Sequence, residues 1–249
     1  MAINSASQSL DPPQAAPEGS LLVAWNRVRT QRLPPWAELA HRLDALAAAP
    51  AVRLWMVRHG ETTTNARGLI TGTTDAPLTE RGRWQARDAG RALGGRVFHA
   101  GFSSHLQRSV QTLELMRDAG PLDLGAQLAE TRISERHLGA YELQRRQPIR
   151  AFARGDLRFA PEGDGESYLS VAHRCVVFLA DLAELSTLAG SRLDVLISSH
   201  AGPMRILVGL LDQKADPADV LALNLENSVV VQRELASLRL PAFLGLHIA

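Results

Sequence analysis

The chain is short of cysteine, of aromatic residues and of net charge, and each shortage narrows what it can be. One cysteine in 249 residues, Cys175, excludes an internal disulfide framework and any multi-cysteine zinc site. Its surroundings, HRCVVFLADL, read as the buried face of a helix. Lys and Arg total 27 against 26 Asp and Glu, a formal net charge of +1. There is no global basic field for nucleic acid and no basic amphipathic face for a membrane surface, so any anion recognition must be local. No apolar run approaches the length of a membrane span. The opening MAINSASQSLDPPQAAPEGS has neither the early positive charge nor the apolar stretch of a secretory signal. The expectation is a cytoplasmic protein whose 45% apolar composition supports one sizeable core.

Residues 1–20 carry Ser, Pro, Gln and Ala with few large apolar side chains, which predicts disorder. After them LLVAWNRVRTQRL runs into a Pro34-Pro35 break. WAELAHRLDALAAA then sets Trp36, Leu39, Leu43 and Leu46 at helical spacing. This amphipathic helix can pack on the domain or on a second copy, which leaves room for a homodimer. The chain therefore divides into an N-terminal extension, 1–50, and a domain, 51–249. In the domain, AVRLWMV, VFHAGFSS, LDVLISSH, NSVVVQREL and LPAFLGLHI read as strands. LTERGRWQARDAGRAL, LQRSVQTLELMRDAG, SYLSVAHRCVVFLADLAEL and GPMRILVGLLDQ read as helices. Interleaving of this kind predicts an α/β three-layer sandwich, a mostly parallel central sheet flanked by helices. Residues from about 121 to 165 have weaker periodicity and read as a cap or long connection.

In such a sheet ligands sit outside the carboxyl ends of the strands. Three predicted strands end there with chemically informative residues: Arg58-His59-Gly60, Ser103-Ser104 leading to Arg108, and Ser198-Ser199-His200-Ala201-Gly202. Two histidines and two arginines gathered in one crevice repel one another unless an anion sits among them. A phosphate resolves the conflict, because it accepts bidentate arginine forks. Neighbouring cations also disfavour the imidazolium, keeping His59 neutral and nucleophilic. Gly60 is read as giving close backbone approach and dihedrals that other residues avoid. A leaving alkoxide needs a proton. Glu61 adjoins His59, but such a neighbour more often braces the loop. Glu135, in ISERHLG on the irregular segment, is the better acid.

The blocks RHGETTTN, GLITGTTDAPLTERG, SSHLQRSVQT, ISERHLG, GDGES and SSHAGPMR, in that order, resemble the histidine phosphatase superfamily over about residues 51–249. The resemblance implies His59 as the phosphorylated nucleophile and Glu135 as proton donor. It implies a phosphate pocket of Arg58, Arg108 and His200 completed by Asn65, with Thr71, Gly72 and Ala201 beside the substrate. It implies no metal and no cofactor. Three departures, Thr64 in place of an aromatic residue, His105 and Ser109, bear on the rim rather than the chemistry. Glu166 and Ser167 match a frequent Gly-Glu-Ser block and are assigned no chemistry.

His41, His99, His137, His173 and His247 read as ordinary residues, and Arg67, Arg81 and Arg83 as solvated charges. Arg136 is left open, since mutases of the superfamily use such an arginine on a second anionic group. Only about thirty residues separate Glu135 from GDGES, which favours a phosphatase over a mutase. A non-catalytic phospho-ligand binder is disfavoured because it needs no proton donor. The expected partner is a small phosphorylated metabolite. Arg145, Arg146, Arg150, Arg154 and Arg158 fit either extra ligand charge or a solvated face.

Overall fold

The computed structural model describes residues 18–145, 155–236 and 239–246, with side chains from residue 21. Its sheet has four strands in the order β2-β4-β1-β5: β1 Val52–Arg58, β2 Ala100–Ser103, β4 Leu193–Ser199 and β5 Val230–Leu235. β1 and β2 each run parallel to β4, and β5 closes the edge antiparallel to β1. A short fifth strand, β3 (Ala126–Ala129), flanks β2, where Glu130 N donates to the Ser103 carbonyl over 2.8 Å.

Alternation along the strands divides two cores. Val52, Leu54 and Met56 of β1, with Leu193, Val195 and Ile197 of β4, face one side. There they meet α1 (Glu18–Val28), α2 (Trp36–Ala45), α6 (Tyr168–Ala189) and α7 (Ala201–Leu211). Val57 and Leu196 face the other side, against α4 (Glu80–Leu93) and α5 (Gln107–Ala119). The expected three-layer α/β sandwich is the observed one, because period-2 burial on two apolar faces needs helices on both. Cys175 lies in the first core, and burial pushes its thiol up to about 12.

The first helix begins at Glu18, inside the stretch expected to be disordered. Leu21, Trp25 and Val28 are buried at i, i+4 and i+7, so the sheet supplies the apolar partner that composition alone does not reveal. Residues 1–17 lie outside the described residues. Trp25 packs edge-on against Phe102, with centroids 4.8 Å apart, and against Phe178. Burying roughly 200 Å² of indole surface is worth about 5 kcal/mol. Within the expected last strand, LPAFLGLHI, the described residues up to 246 hold instead a 3-10 turn, Ala242–Leu244. Phe243 and Leu244 are both buried in the first core; a strand would send such neighbours to opposite faces, and Pro241 could not donate to a ladder. The four helices expected in the domain form, with small shifts at their ends. Short helices α3 (Thr63–Ala66) and α8 (Pro217–Leu221) lie in the connections. Among the described residues no helix is long and apolar enough to cross a membrane.

One buried carboxylate fastens the N-terminal helices to the domain. Asp181 of α6 is fully buried and accepts from Thr30 N at 2.8 Å, Thr30 Oγ1 at 2.7 Å and Arg42 Nη2 at 2.7 Å. It also accepts from Arg132 Nη1, whose guanidinium is chelated by Glu130. Removing one member leaves buried cations uncompensated. Asp181→Ala should lose about 3 kcal/mol, near the lower end for a buried pair because Glu130 and Glu184 remain. Urea denaturation of the two proteins measures this; a loss below about 1 kcal/mol would mean that the network does not fasten the helices.

Candidate active site

Register delivers the site. Arg58 is paired with Ser199, and Ser103 with Ser198, so β1, β2 and β4 end level and the residues after them share one edge. His59 follows β1, Ser104 follows β2, and His200 follows β4 as the N-cap of α7. Their backbones are stitched together: His59 N donates to the Ser199 carbonyl over 2.9 Å, and Asn227 Nδ2 donates to the His59 carbonyl over 2.6 Å.

Above this edge lies a cleft of about 330 Å³. Its lining includes Arg58, His59, Asn65, Thr71, Gly72, Arg108, Glu135 and Ala201. His200 is the one expected site residue that does not line it. Its imidazole is fully buried behind the cleft, with its ring centroid 5.0 Å from that of His59. Glu61 is also absent from the lining and braces the loop, accepting from Thr79 Oγ1 at 2.8 Å.

The two histidines are held in defined states. His59 is 3% exposed, and burial first, then Arg108 and Arg58, pushes its pKa well below the ordinary value. It is therefore the neutral base. The Gly60 carbonyl lies 2.8 Å from its Nδ1 and accepts only from a protonated nitrogen, so Nε2 keeps the lone pair. His200 is pushed down by burial, Arg108 and His59. Its Nε2 is 2.6 Å from Ser104 Oγ, and Ser104 Oγ already accepts from Leu106 N.

Arg108 is buried on α5, its Nη1 donating to the Thr74 carbonyl at 2.9 Å and its Nη2 to the Gly72 carbonyl at 2.7 Å. Arg58 Nη1 donates to the Leu225 carbonyl at 2.9 Å. Glu135 Oε1 accepts from Arg136 N at 2.9 Å, and its Oε2 lies 3.5 Å from Gly202 N in the first turn of α7. A side chain at Gly202 would place Cβ 2.4 Å from Glu135 Oε1, so glycine is what lets the carboxylate approach the helix end. Gly60 does allow close approach, but to the Gly82 carbonyl: a Cβ at residue 60 would fall 2.4 Å from that oxygen. It does not adopt the positive φ expected of it; Gly72, with φ +55°, does.

Among residues the sequence left aside, Ile70, Leu138, Tyr168, Arg205 and Leu221 also line the cleft. Arg205 lies four residues after Ala201 on α7, a spacing that puts both on one helix face and could have flagged it. Arg136, left open above, lines the cleft and stacks 4.1 Å from the Tyr168 ring centroid. Glu166 backs the wall, chelating Arg174 at 2.8 and 3.0 Å. Of the departures, Thr64 Oγ1 meets Thr71 Oγ1 at 2.7 Å, His105 Nδ1 meets Ser134 Oγ at 2.8 Å, and Ser109 Oγ donates to the Ser198 carbonyl. His99 Nδ1 accepts from Asp194 N, and His173 stacks on Trp36. Arg146, Arg150, Arg154 and His247 lie outside the described residues. Among the described residues no group of three His, Cys, Asp or Glu side chains could hold a metal ion. The cleft gathers four arginines against the single lining carboxylate of Glu135, a field suited to an anion.

Over residues 54–237 the chain matches the Histidine phosphatase superfamily (branch 1). It is 31% identical, over 73% of its length and 84% of the relative's, to a 2,3-bisphosphoglycerate-dependent phosphoglycerate mutase 2 of Gloeobacter violaceus. It is 32% identical, over 64% of its length and 73% of the relative's, to a glucosyl-3-phosphoglycerate phosphatase of Mycolicibacterium vanbaalenii. A solved mycobacterial glucosyl-3-phosphoglycerate phosphatase superposes with a TM-score of 0.63 at 30% identity, covering 76% of this chain and 95% of that one.

The buried neutral histidines have a consequence for stability. Their folded pKa values lie below the ordinary value of about 6.5, so below that pH the unfolded chain binds protons that the folded chain does not. Stability therefore rises with pH through this window and falls on acidification, by up to about 1.4 kcal/mol per pH unit for each histidine. Urea denaturation at pH 5, 6 and 7 without phosphate should show this loss, and a shallower one in His59→Gln. Equal pH dependence in the two proteins would show that His59 is not held neutral.

Proposed function

Because the chain belongs to the histidine phosphatase superfamily, we propose that it is a metal-independent phosphomonoesterase acting through a phosphohistidine on a small phosphorylated metabolite. The observation that carries this reading is the state of His59, a neutral buried imidazole whose Nδ1 is tied to the Gly60 carbonyl. That bond leaves Nε2 as the nucleophile at the edge of an arginine-lined cleft.

A phosphoryl group would seat between Arg58 and Arg108, with Asn65 and the first turn of α7 at its edges. His59 Nε2 attacks phosphorus while the ester P–O bond breaks. The bonding pair leaves on the ester oxygen, which takes the proton of the Glu135 carboxyl group. Water then attacks the phosphohistidine, and the Glu135 carboxylate takes the water's proton. The P–N bond breaks, its pair returning to Nε2, and inorganic phosphate leaves. Throughout, Arg58 and Arg108 face the charge that spreads over the equatorial oxygens, with His200 buried behind His59. Fixed cations supply the charge stabilisation that a metal ion provides elsewhere.

A mutase reading has two observations in its favour: the similarity to a named phosphoglycerate mutase, and Arg136 and Arg205 on the wall of the same cleft. Chasing labelled phosphoenzyme with a monophosphoglycerate separates the two. Label recovered as inorganic phosphate supports the phosphatase, and label recovered on the glycerate supports the mutase.

Two outcomes test the chemistry. His59→Ala should abolish both acid-labile labelled phosphoenzyme and turnover, while EDTA should leave the wild-type rate unchanged. Activity that survives the substitution, or that strictly needs a divalent ion, would overturn the reading. Glu135→Gln should slow cleavage of alkyl phosphates by about 10²- to 10⁴-fold and that of p-nitrophenyl phosphate far less, since p-nitrophenolate needs little protonation. Equal losses on both substrates would remove Glu135 from the acid role.

A further inference from the structure

Arg108 is aimed by two backbone carbonyls, those of Gly72 and Thr74, and these belong to a turn with no regular structure of its own. Something must fix the turn if the guanidinium is to keep one orientation. Glu142, in the segment that follows Glu135 and Arg136, supplies the fixing charge. Its Oε1 accepts from Thr73 N at 2.9 Å, Thr73 Oγ1 at 3.2 Å and Leu138 N at 3.0 Å. Its Oε2 accepts from Thr74 N at 3.0 Å and Thr74 Oγ1 at 2.7 Å. The two segments are further joined by Ile70 N to the Gln144 carbonyl and Leu143 N to the Ile70 carbonyl, at 2.9 and 2.7 Å.

The carboxylate side chain is 12% exposed, and the imidazole of His137 stands off from it, with Nε2 3.9 Å away. Its ligands are therefore N–H and O–H dipoles of the turn rather than an ion-pair partner. Gly72 lies against it so closely that a Cβ there would fall on Oε1. The same carboxylate holds Leu138 N, two residues beyond Arg136. It thus ties the anion-binding turn to the segment that carries Glu135.

We propose that Glu142 is the positioning residue for the phosphate-binding guanidinium of Arg108, acting through the Gly72 and Thr74 carbonyls. This rests on the reading of Arg108 as a phosphate ligand. Two consequences follow from the charge. The carboxylate's five bonds are charge-assisted and stronger than those an amide would make. An amide in its place would also set an NH₂ donor against the donors of Thr73 or Thr74. Glu142 further contributes to keeping buried Arg108 charged.

The test is a double-mutant cycle of Glu142→Gln and Arg108→Lys, read as orthovanadate and inorganic phosphate binding and as kcat/KM. Binding needs no turnover, so it separates this inference from the catalytic one. Glu142→Gln alone should weaken vanadate binding and lower kcat/KM by about 10- to 100-fold, with a thermal midpoint near that of the wild type. In the Arg108→Lys background, where lysine cannot use both carbonyls as a fork, it should cost less than about 2-fold. A general packing role would give equal losses in both backgrounds and would overturn the proposal, as would unchanged binding in Glu142→Gln. If Glu142→Gln fails to fold, Thr74→Val, which removes one ligand of the carboxylate and keeps the backbone, should show the same non-additivity with a smaller loss. Unweakened phosphate binding in Arg108→Lys would overturn the reading of Arg108 and this inference with it. Weakened binding there together with absence of phosphohistidine in the wild type would leave the inference standing and overturn the hydrolytic reaction alone.

Discussion

Positive charge collected in a buried crevice must be held in place by the protein before any anion arrives, and the site depends on how that is done. Each guanidinium is anchored through part of its donor set. Arg108 leans on the Gly72 and Thr74 carbonyls, and Arg58 on the Leu225 carbonyl. Neutral acceptors orient a cation without cancelling it. Asp75, the carboxylate within ion-pair range of Arg108 among the described residues, stands 3.6 Å away and is 41% exposed, where solvent screens it. Fixed orientation before binding is what makes such charges effective at a reacting centre.

The same field sets the histidines. Arg108 and Arg58 join burial in lowering the pKa of His59, and Arg108 and His59 join it in lowering that of His200. A neutral imidazole then needs its tautomer fixed; the Gly60 carbonyl fixes that of His59, and His200 Nε2 shares a 2.6 Å hydrogen bond with the Ser104 hydroxyl. The arginine pairs elsewhere work differently. Arg132 and Arg174 are chelated by Glu130 and Glu166, and they serve packing between α6 and the strand ends. Carboxylate chelation marks the structural arginines, and carbonyl anchoring marks those of the cleft.

The fold was legible where burial follows a simple period. AVRLWMV and LDVLISSH are strands because an internal strand is buried on both faces, and the long apolar stretch after GDGES is the central helix of one layer. The pattern misled at LPAFLGLHI, whose Phe243 and Leu244 share one core in a 3-10 turn. It also misled at Glu18, where a helix gains its start from a sheet distant in sequence. β3 was invisible because Ala126–Ala129 is a short edge element with partial burial.

The sequence by itself determined which reactive groups are present and where they cluster along the chain: His59 after one strand, His200 after another, Arg108 at the start of a helix, Glu135 in an irregular segment. Strand ends and helix starts are local properties, so local patterns reveal them. Only the tertiary structure decided that the Nδ1 of His59 is tied to a carbonyl, which leaves its Nε2 free. It also decided that His200 stands behind the cleft wall, that Arg205 and Tyr168 join that wall, and that Glu142 holds the turn beneath Arg108. These are contacts between segments tens of residues apart, set by strand register and by loop-to-loop hydrogen bonds, and no sequence period encodes them.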